Sequence, residues 1–175
     1  MKKATTICAV LLIFISLNTS AQSNNYLTKV KTLDNTIKTL YGVISGEKGE
    51  VRDWNLFKFL FKPQAKLIPT GTNKQGIHVA RYMTPQEYIN TSGKWLVENG
   101  FFEKEVARSV HKFGNIAQVF TTYEAFKSES DTKPFMTGIN SVQMLYDNNR
   151  WWIVNIYWQQ ASKRNPIPEE FKSKN

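Results

Sequence analysis

The chain has 175 residues and a formal net charge of +9 at neutral pH, from 23 Lys and Arg against 14 Asp and Glu. This length suits one domain with a sizeable core. The basic residues are scattered along the chain, which favours a solvated surface, with weak attraction to anionic polymers or lipids of a cell envelope as the alternative. There is no basic stripe in the sequence, which argues against nucleic-acid binding.

The first residues have the three-part pattern of a secretory signal peptide. Lys2 and Lys3 precede an apolar run at residues 7–17, and small polar residues then lead to Ala21. The run is too short for a membrane span, so the pattern predicts cleavage after Ala21, with an uncleaved N-terminal anchor as the alternative. We therefore expect an exported protein, periplasmic or secreted, with no integral membrane segment after cleavage.

The predicted signal peptide, residues 1–21, contains Cys8, the only cysteine of the sequence. After cleavage the chain would have no disulfide, no thiol nucleophile and no cysteine-based metal site. Residues 22–162 are predicted to form one domain. Residues 163–175, which are rich in charge and proline, are predicted to form a loose polar tail.

Two helices are predicted before residue 64. Asn24 or Asn25 can cap the first, and its apolar stripe recurs every three or four residues: Leu27, Val30, Leu33, Ile37, Leu40 and Ile44. Asp53 can cap a second, short and largely apolar helix, which Pro63 ends. Because the second helix is apolar on nearly every side, we expect it to be well buried.

The strongest local signal is the sequence Thr84-Pro85-Gln86-Glu87, which has the spacing of a capping box. It predicts a third helix over residues 85–98 that ends at Asn99-Gly100. Short strands are predicted at residues 65–69 and 77–83, around a glycine-containing loop. The loop lacks the Gly-Lys-Ser/Thr ending of a phosphate-binding loop.

From residue 101 onward the pattern changes to strands rich in β-branched and aromatic residues. These are predicted at residues 102–113, 116–126, 139–146 and 151–159. Gly114-Asn115 joins the first two, and Asp147-Asn148-Asn149 joins the last two, both as tight turns. The order, helices first and then a long antiparallel sheet, indicates an α+β fold.

Residues 113–124, 138–143 and 150–158 resemble the central hairpin and the last two strands of the NTF2-like (SnoaL-like) superfamily. The resemblance covers residues 27–160 and implies an NTF2-like cone, a curved antiparallel sheet wrapped around N-terminal helices, with a pocket at its open end. Members of the superfamily include isomerases, dehydratases, cyclases and binding modules, and many are dimeric. The chain most resembles an exported subgroup with no assigned reaction. The resemblance therefore identifies no catalytic residues in this chain.

Strand alternation sorts the last strand into two largely apolar faces. One holds Trp151, Ile153, Asn155 and Tyr157, and the other holds Trp152, Val154, Ile156 and Trp158. Because apolar side chains on both faces should be buried, and the core covers only one face, we expect the second set to form a homodimer interface. Burial of that face by the C-terminal tail is the alternative. The ligand-binding residues are predicted to be Trp54, Tyr123, Asn155 and Tyr157, with core packing as the alternative for Trp54 and Tyr123.

The candidate catalytic residues are Glu105, His78 and Tyr123. Glu103 and Glu105 lie in phase, and if that face points inward Glu105 could act as a general base, the alternative being a solvated sheet edge or a cross-strand pair with Arg108. His78 is the second candidate base, and Tyr123 could donate a hydrogen bond to a bound carbonyl. The two histidines lack the spacing of metal ligands, so no metal or cofactor is expected.

Three functions follow from this pattern. The first is non-catalytic binding of a small apolar or aromatic ligand in the cone pocket, indicated by many aromatic residues and few titratable groups that converge. The second is an enzyme of the isomerase or dehydratase type that uses an inward carboxylate or histidine as its base. The third is a structural dimerisation module.

Overall fold

The computed structural model describes residues 25–173. The predicted signal peptide and Asn24 lie outside these residues. Residues 25–30 are helical. They are followed by α1 (Leu33–Ile44), α2 (Trp54–Phe59), α3 (Pro85–Tyr88) and α4 (Lys94–Asn99), with a π-helical turn, Ile89–Gly93, between α3 and α4. A short 3₁₀ helix, Glu169–Phe171, lies in the C-terminal segment.

The helix caps predicted at Asp53 and Thr84 are present, and one further cap was not foreseen. The Asp53 side chain accepts a hydrogen bond from the Leu56 N–H, and Thr84 and Glu87 form the reciprocal capping box. The first apolar stripe, however, spans two helical segments, because the Thr32 side chain accepts from the Asn35 N–H and starts a new helix. The single helix predicted from residue 27 is therefore wrong at residues 31–32.

Six strands form one curved, unclosed sheet in the order β2-β1-β6-β5-β4-β3. Their bounds are β1 Phe61–Thr72, β2 His78–Ala80, β3 Phe102–Phe113, β4 Ile116–Phe126, β5 Met136–Asp147 and β6 Arg150–Gln160. All neighbouring strands are antiparallel except β1 and β6, which pair in parallel. The α+β class and the curved sheet are confirmed, whereas the purely antiparallel sheet is corrected to a mixed one.

Both predicted hairpin turns are present. Asn148 and Asn149 have φ of 52° and 59°, the left-handed pair that a two-residue hairpin turn of type I′ requires. Gly114 has φ of 56° at the β3–β4 turn, where glycine adopts this conformation without strain. The turns fix the register of β3 against β4 and of β5 against β6.

The strand pairing shifts register at three places, and two of these, β-bulges in β3 and β6, bear on the pocket. In β3 the pairing skips Val106, because Glu105 faces Tyr123 and Ala107 faces Thr122. In β6 it skips Val154, because Ile153 faces Met144 and Asn155 faces Gln143. An extra residue on one strand turns every later side chain to the other face, so each bulge changes which residues point inward.

The bulge at Val154 corrects the faces predicted for the last strand. Trp151 and Ile153 pack in the core as expected, but beyond the bulge the core side chains are Ile156 and Trp158. Asn155 and Tyr157 lie on the outer face, where Tyr157 is 39% exposed. The two sets of four therefore do not each share one face.

The inner face of the sheet packs on the helices and forms one core. Its largest fully buried side chains include Tyr123, Phe57, Ile37, Leu60 and Ile153. The C-terminal segment covers part of the outer face: the Phe171 ring packs on Phe120 at 4.9 Å between centroids, and Thr122 donates a hydrogen bond to the Phe171 carbonyl. Within residues 25–173, no helix is long and apolar enough to cross a membrane.

Candidate functional site

A cavity of about 230 Å³ lies between the helices and the inner face of the sheet. We call it the cone pocket. Its walls combine side chains from α1 to α4, from the π-helical turn and from five strands: Leu40, Ile44, Phe57, Leu67, Tyr88, Ser92, Trp95, Leu96, Phe101, Glu103, Tyr123, Met136, Asn140, Ile156 and Trp158. Trp95 is 44% exposed, which places it toward the solvent side of the pocket. Most of the lining is apolar, as is usual for a small-molecule site.

Aromatic rings form two connected walls of the pocket. On one side Tyr88 stacks on Phe57 with ring centroids 5.3 Å apart, and meets Trp158 edge-on at 6.3 Å. On the other side Trp95 and Phe101 meet edge-on at 6.3 Å. These are the offset and edge-to-face arrangements that aromatic pairs prefer.

Glu103 is the only charged side chain that lines the cone pocket in the described part of the chain. Its Oε1 accepts a hydrogen bond of 3.1 Å from the Asn140 side-chain amide. Burial raises the pKa of Glu103 from an ordinary 4.5 to about 7, and the hydrogen bond from Asn140 offsets only part of that rise. The carboxyl group therefore changes its protonation near neutral pH.

Two tyrosine hydroxyls border the same space. Burial raises the pKa of both Tyr88 and Tyr123 above the usual 10, and the nearby Glu103 charge adds to the rise, so both stay protonated. Neither hydroxyl makes a hydrogen bond to another group within residues 25–173. A Cβ atom on Gly138 would lie 2.4 Å from the Tyr123 hydroxyl oxygen, so glycine at this position makes room for the ring.

A chain of hydrogen bonds leads from the pocket along the inner face. Asn140 donates to the Tyr41 hydroxyl at 3.1 Å, and Tyr41 lies 3.1 Å from the Thr121 hydroxyl. Thr121 donates its only hydroxyl hydrogen to Glu105 at 2.6 Å, so Tyr41 must be the donor to Thr121. The chain therefore runs in one direction, from Asn140 through Tyr41 and Thr121 to Glu105.

Glu105 is ion-paired and does not line the cone pocket. Arg108 donates to both carboxylate oxygens, with its Nε 2.7 Å from Oε1, and also pairs with Asp34 of α1. The predicted general base of β3 is therefore on the inward face but in a bidentate pair, and Arg108 reaches it along the same strand instead of across strands. The carboxyl group that the fold brings to the pocket is Glu103.

Solved structures share this architecture at low sequence identity. An NTF2-like superfamily protein from Salmonella enterica serovar Typhimurium is 17% identical, with a TM-score of 0.54 over 84% of this chain and 95% of its own. An NTF2-like protein of unknown function from Pseudomonas putida is 11% identical, with a TM-score of 0.56 over 89% and 94%. The chain has the NTF2-like fold. The fold predicted from the three sequence segments is thereby confirmed.

A third similar structure belongs to an NTF2-like protein from Streptomyces avermitilis that is proposed to be a dehydratase. It is 10% identical, with a TM-score of 0.55 over 77% of this chain and 97% of its own. No protein-family model matches the chain, and no curated protein matches its sequence. An NTF2-like fold supports many activities, so the function must be argued from the pocket.

Most of the other residues predicted from the sequence to be catalytic or ligand-binding lie outside the pocket of the NTF2-like cone. His78 lies exposed on β2, where its Nδ1 is 3.3 Å from the Thr72 hydroxyl, and it does not line the cone pocket. Trp54 meets Phe57 edge-on behind the pocket wall. Asn155 and Tyr157 point away from the pocket because the bulge at Val154 reverses the alternation of β6. Of the four predicted ligand-binding residues, Tyr123 alone borders the NTF2-like pocket.

The four residues predicted for a dimer interface are divided between two places. Ile156 and Trp158 line the cone pocket, whereas Val154 is 39% exposed. Trp152 packs between Arg150, whose guanidinium carbon is 3.5 Å from the ring centroid, and Lys62. These four side chains therefore do not form one surface, and the homodimer itself stays a prediction.

Several pocket residues were missed from the sequence. Trp158 was assigned to the other face because nothing in the sequence marks a bulge at Val154. Asn140 and Tyr88 gave no signal, since neither stands in a recognisable motif.

Within residues 25–173, no three His, Cys, Asp or Glu side chains lie close enough together to hold a metal ion.

Proposed function

We propose that the cone pocket binds a small, mostly apolar or aromatic molecule and holds it without chemical change. The observation that carries the proposal is an aromatic-walled cavity in which one carboxyl group and two tyrosine hydroxyls lie without a full set of protein partners. Buried polar groups of this kind gain free energy when a ligand completes their hydrogen bonds.

The volume limits the size of the ligand. An apolar cavity of about 150 Å³ is enough to bind benzene. The cone pocket, at about 230 Å³, fits a molecule of about ten non-hydrogen atoms that has one ring and one polar group. Its ring would lie between the two aromatic walls, and its polar group would meet Glu103, Tyr88 and Tyr123.

Native mass spectrometry of the mature protein, purified from its own host, tests the proposal. We expect a reproducible added mass that is lost when the pocket is filled by Ser92→Phe. Asn90→Phe places the same ring on the exposed side of the same helical stretch and serves as the control. A protein that is always recovered empty, and that binds none of a panel of one-ring probes, would contradict ligand binding.

A second candidate function is proton transfer, favoured by the pKa of about 7 at Glu103. A carboxylate with this pKa is suited to remove a proton next to a carbonyl group, and Tyr88 or Tyr123 could donate a hydrogen bond to the oxyanion that forms. The reaction class would be an isomerisation or a dehydration. Solvent deuterium incorporation into small ketones, abolished by Glu103→Gln, would support it.

We further propose that the protein is exported, on the strength of residues 1–21. Those residues lie outside the described part of the chain, so the proposal depends on the sequence pattern alone. N-terminal sequencing of the protein from the periplasm and from the culture medium tests it. We expect a chain that begins at Gln22, and a cytoplasmic chain that retains Met1 would contradict export.

A further inference from the structure

We propose that the ligand of the cone pocket is a small organic cation, an ammonium group on a one-ring apolar body. The inference rests on the proposed binding function and adds the charge of the ligand. It follows from three properties of the pocket: a carboxylate without a cationic partner, aromatic side chains in the same cavity, and two tyrosine hydroxyls that can accept hydrogen bonds.

Glu103 has no cationic partner within residues 25–173. No Lys, Arg or His lies in a salt bridge with it, and no basic side chain lines the cone pocket. The contrast is with Glu105 on the same strand, which Arg108 satisfies through two hydrogen bonds. A buried carboxylate is stable only when it is paired or protonated, so a cationic ligand would supply the partner that Glu103 lacks.

The rings of the pocket suit the same charge. The cavity that Glu103 lines is also lined by five aromatic side chains: Tyr88, Trp95, Phe101, Tyr123 and Trp158. The faces of aromatic rings carry negative potential and attract ammonium groups, which is how aromatic cages recognise such ligands. An anion would be repelled both by these faces and by the ionised carboxylate.

An ammonium group also matches the hydrogen-bonding groups that remain. Oε1 of Glu103 accepts from Asn140, while Oε2 accepts no hydrogen bond within the described residues. A primary ammonium has three N–H donors. One can meet Oε2, and the others can meet the hydroxyl oxygens of Tyr88 and Tyr123, which would orient the apolar body toward the aromatic walls.

Binding of a cation should then depend on the ionisation of Glu103. The titratable groups near Glu103 are Tyr41 from α1, Tyr88 from α3 and Tyr123 from β4, and Glu105 lies two residues farther along β3. Burial raises the pKa of all three tyrosines, so they stay neutral, and Glu105 is held in its pair with Arg108. Protonation of Glu103 is therefore the change that would weaken cation binding as the pH falls.

Three probes of nearly the same size test the charge preference: benzylammonium, benzyl alcohol and benzoate. Their affinities for the mature protein are measured at pH 8 by calorimetry, with the Trp95 and Trp158 indole signals as an NMR readout of the pocket. We expect benzylammonium to bind at least about tenfold more tightly than benzyl alcohol, and benzoate to bind most weakly. Between pH 8 and pH 5.5, the affinity for benzylammonium should fall at least about tenfold while that for benzyl alcohol stays constant.

Glu103→Gln should abolish the difference between amine and alcohol, whereas Glu98→Gln, an exposed position on α4, should preserve it. The pH comparison uses the wild-type protein and keeps the test valid if a variant folds poorly. Equal or tighter binding of benzyl alcohol would overturn the charge preference but not ligand binding. Binding of none of the three probes would overturn both.

Discussion

Glu103 and Glu105 lie two residues apart on β3 and point to the same face of the sheet, yet the fold gives them different surroundings. Glu105 meets Arg108 and the Thr121 hydroxyl, and it closes a chain of hydrogen bonds. Glu103 meets one amide in a pocket that is lined mostly by apolar and aromatic side chains, and burial raises its pKa to about 7. The comparison teaches that two carboxyl groups on one face of a strand can differ sharply in their surroundings, because a cationic partner reaches one and not the other.

The largest expected effect comes from removing the Glu103 charge. The folded-state pKa of about 7 lies above the unfolded value of 4.5, so the folded protein binds the proton more tightly, and stability is lost as the pH rises from 4.5 through 7. Glu103→Gln removes this cost. We expect the variant to be about 3 kcal/mol more stable than the wild type at pH 8, from the size of the shift, and equal to it at pH 4.

Urea denaturation at the two pH values measures that difference, with Glu98→Gln as the matched exposed control. A Glu103→Gln variant that is less stable than the wild type at pH 8 would show that Glu103 has a favourable partner in the folded protein.

The next effect concerns the satisfied carboxylate. Arg108→Met removes both hydrogen bonds to Glu105 and leaves a partly buried charge unpaired, at a cost of about 2 kcal/mol at pH 7. Because the cost comes from the unpaired charge, the double variant Arg108→Met, Glu105→Gln should regain most of the lost free energy of unfolding. Equal losses in the single and double variants would contradict this account of Glu105.

Tyr41 joins the two regions, and its removal should have a smaller effect. Tyr41→Phe takes away the hydroxyl that accepts from Asn140 and donates to Thr121, at a cost of about 1 kcal/mol. Asn140 has two amide hydrogens and keeps the one that it donates to Glu103, so the pKa of Glu103 should stay near 7. Denaturation measures the first effect, and a carboxyl NMR titration measures the second.

An effect of about the same size is expected on the outer face, away from both carboxylates. Phe171→Ala removes the ring that packs on Phe120 and should cost about 1 kcal/mol, while Lys163→Ala, an exposed position in the same segment, should cost almost nothing. Light scattering of the same proteins tests the predicted homodimer. A mass that rises with concentration only in Phe171→Ala would mean that the C-terminal segment covers a surface able to self-associate.

Local features of the fold could be predicted because short stretches of sequence determine them. The capping box at Thr84 and Glu87 and the left-handed turn at Asn148-Asn149 need no information from distant residues. The parallel pairing of β1 with β6 joins segments about ninety residues apart. No local sequence pattern predicts such a pairing.

The site was harder to predict than the fold because bulges decide which side chains point inward. Strict alternation along β6 predicted that Asn155 and Tyr157 line the pocket. The extra residue at Val154 reverses the alternation, so Ile156 and Trp158 line it instead. On β3 the alternation was correct as far as Glu103 and Glu105, but the sequence could not show which of the two would meet Arg108. That choice depends on the bulge at Val106, which turns Arg108 inward beside Glu105.

The most direct test of the central claim is the titration of the Glu103 side-chain carboxyl group, followed by ¹³C NMR in the ligand-free protein and assigned by its loss in Glu103→Gln. The account predicts a midpoint near pH 7, in line with the burial of this group in the cone pocket. A midpoint near 4.5, the ordinary value for glutamate, would mean that Glu103 is solvated or paired, and it would contradict the proposed site.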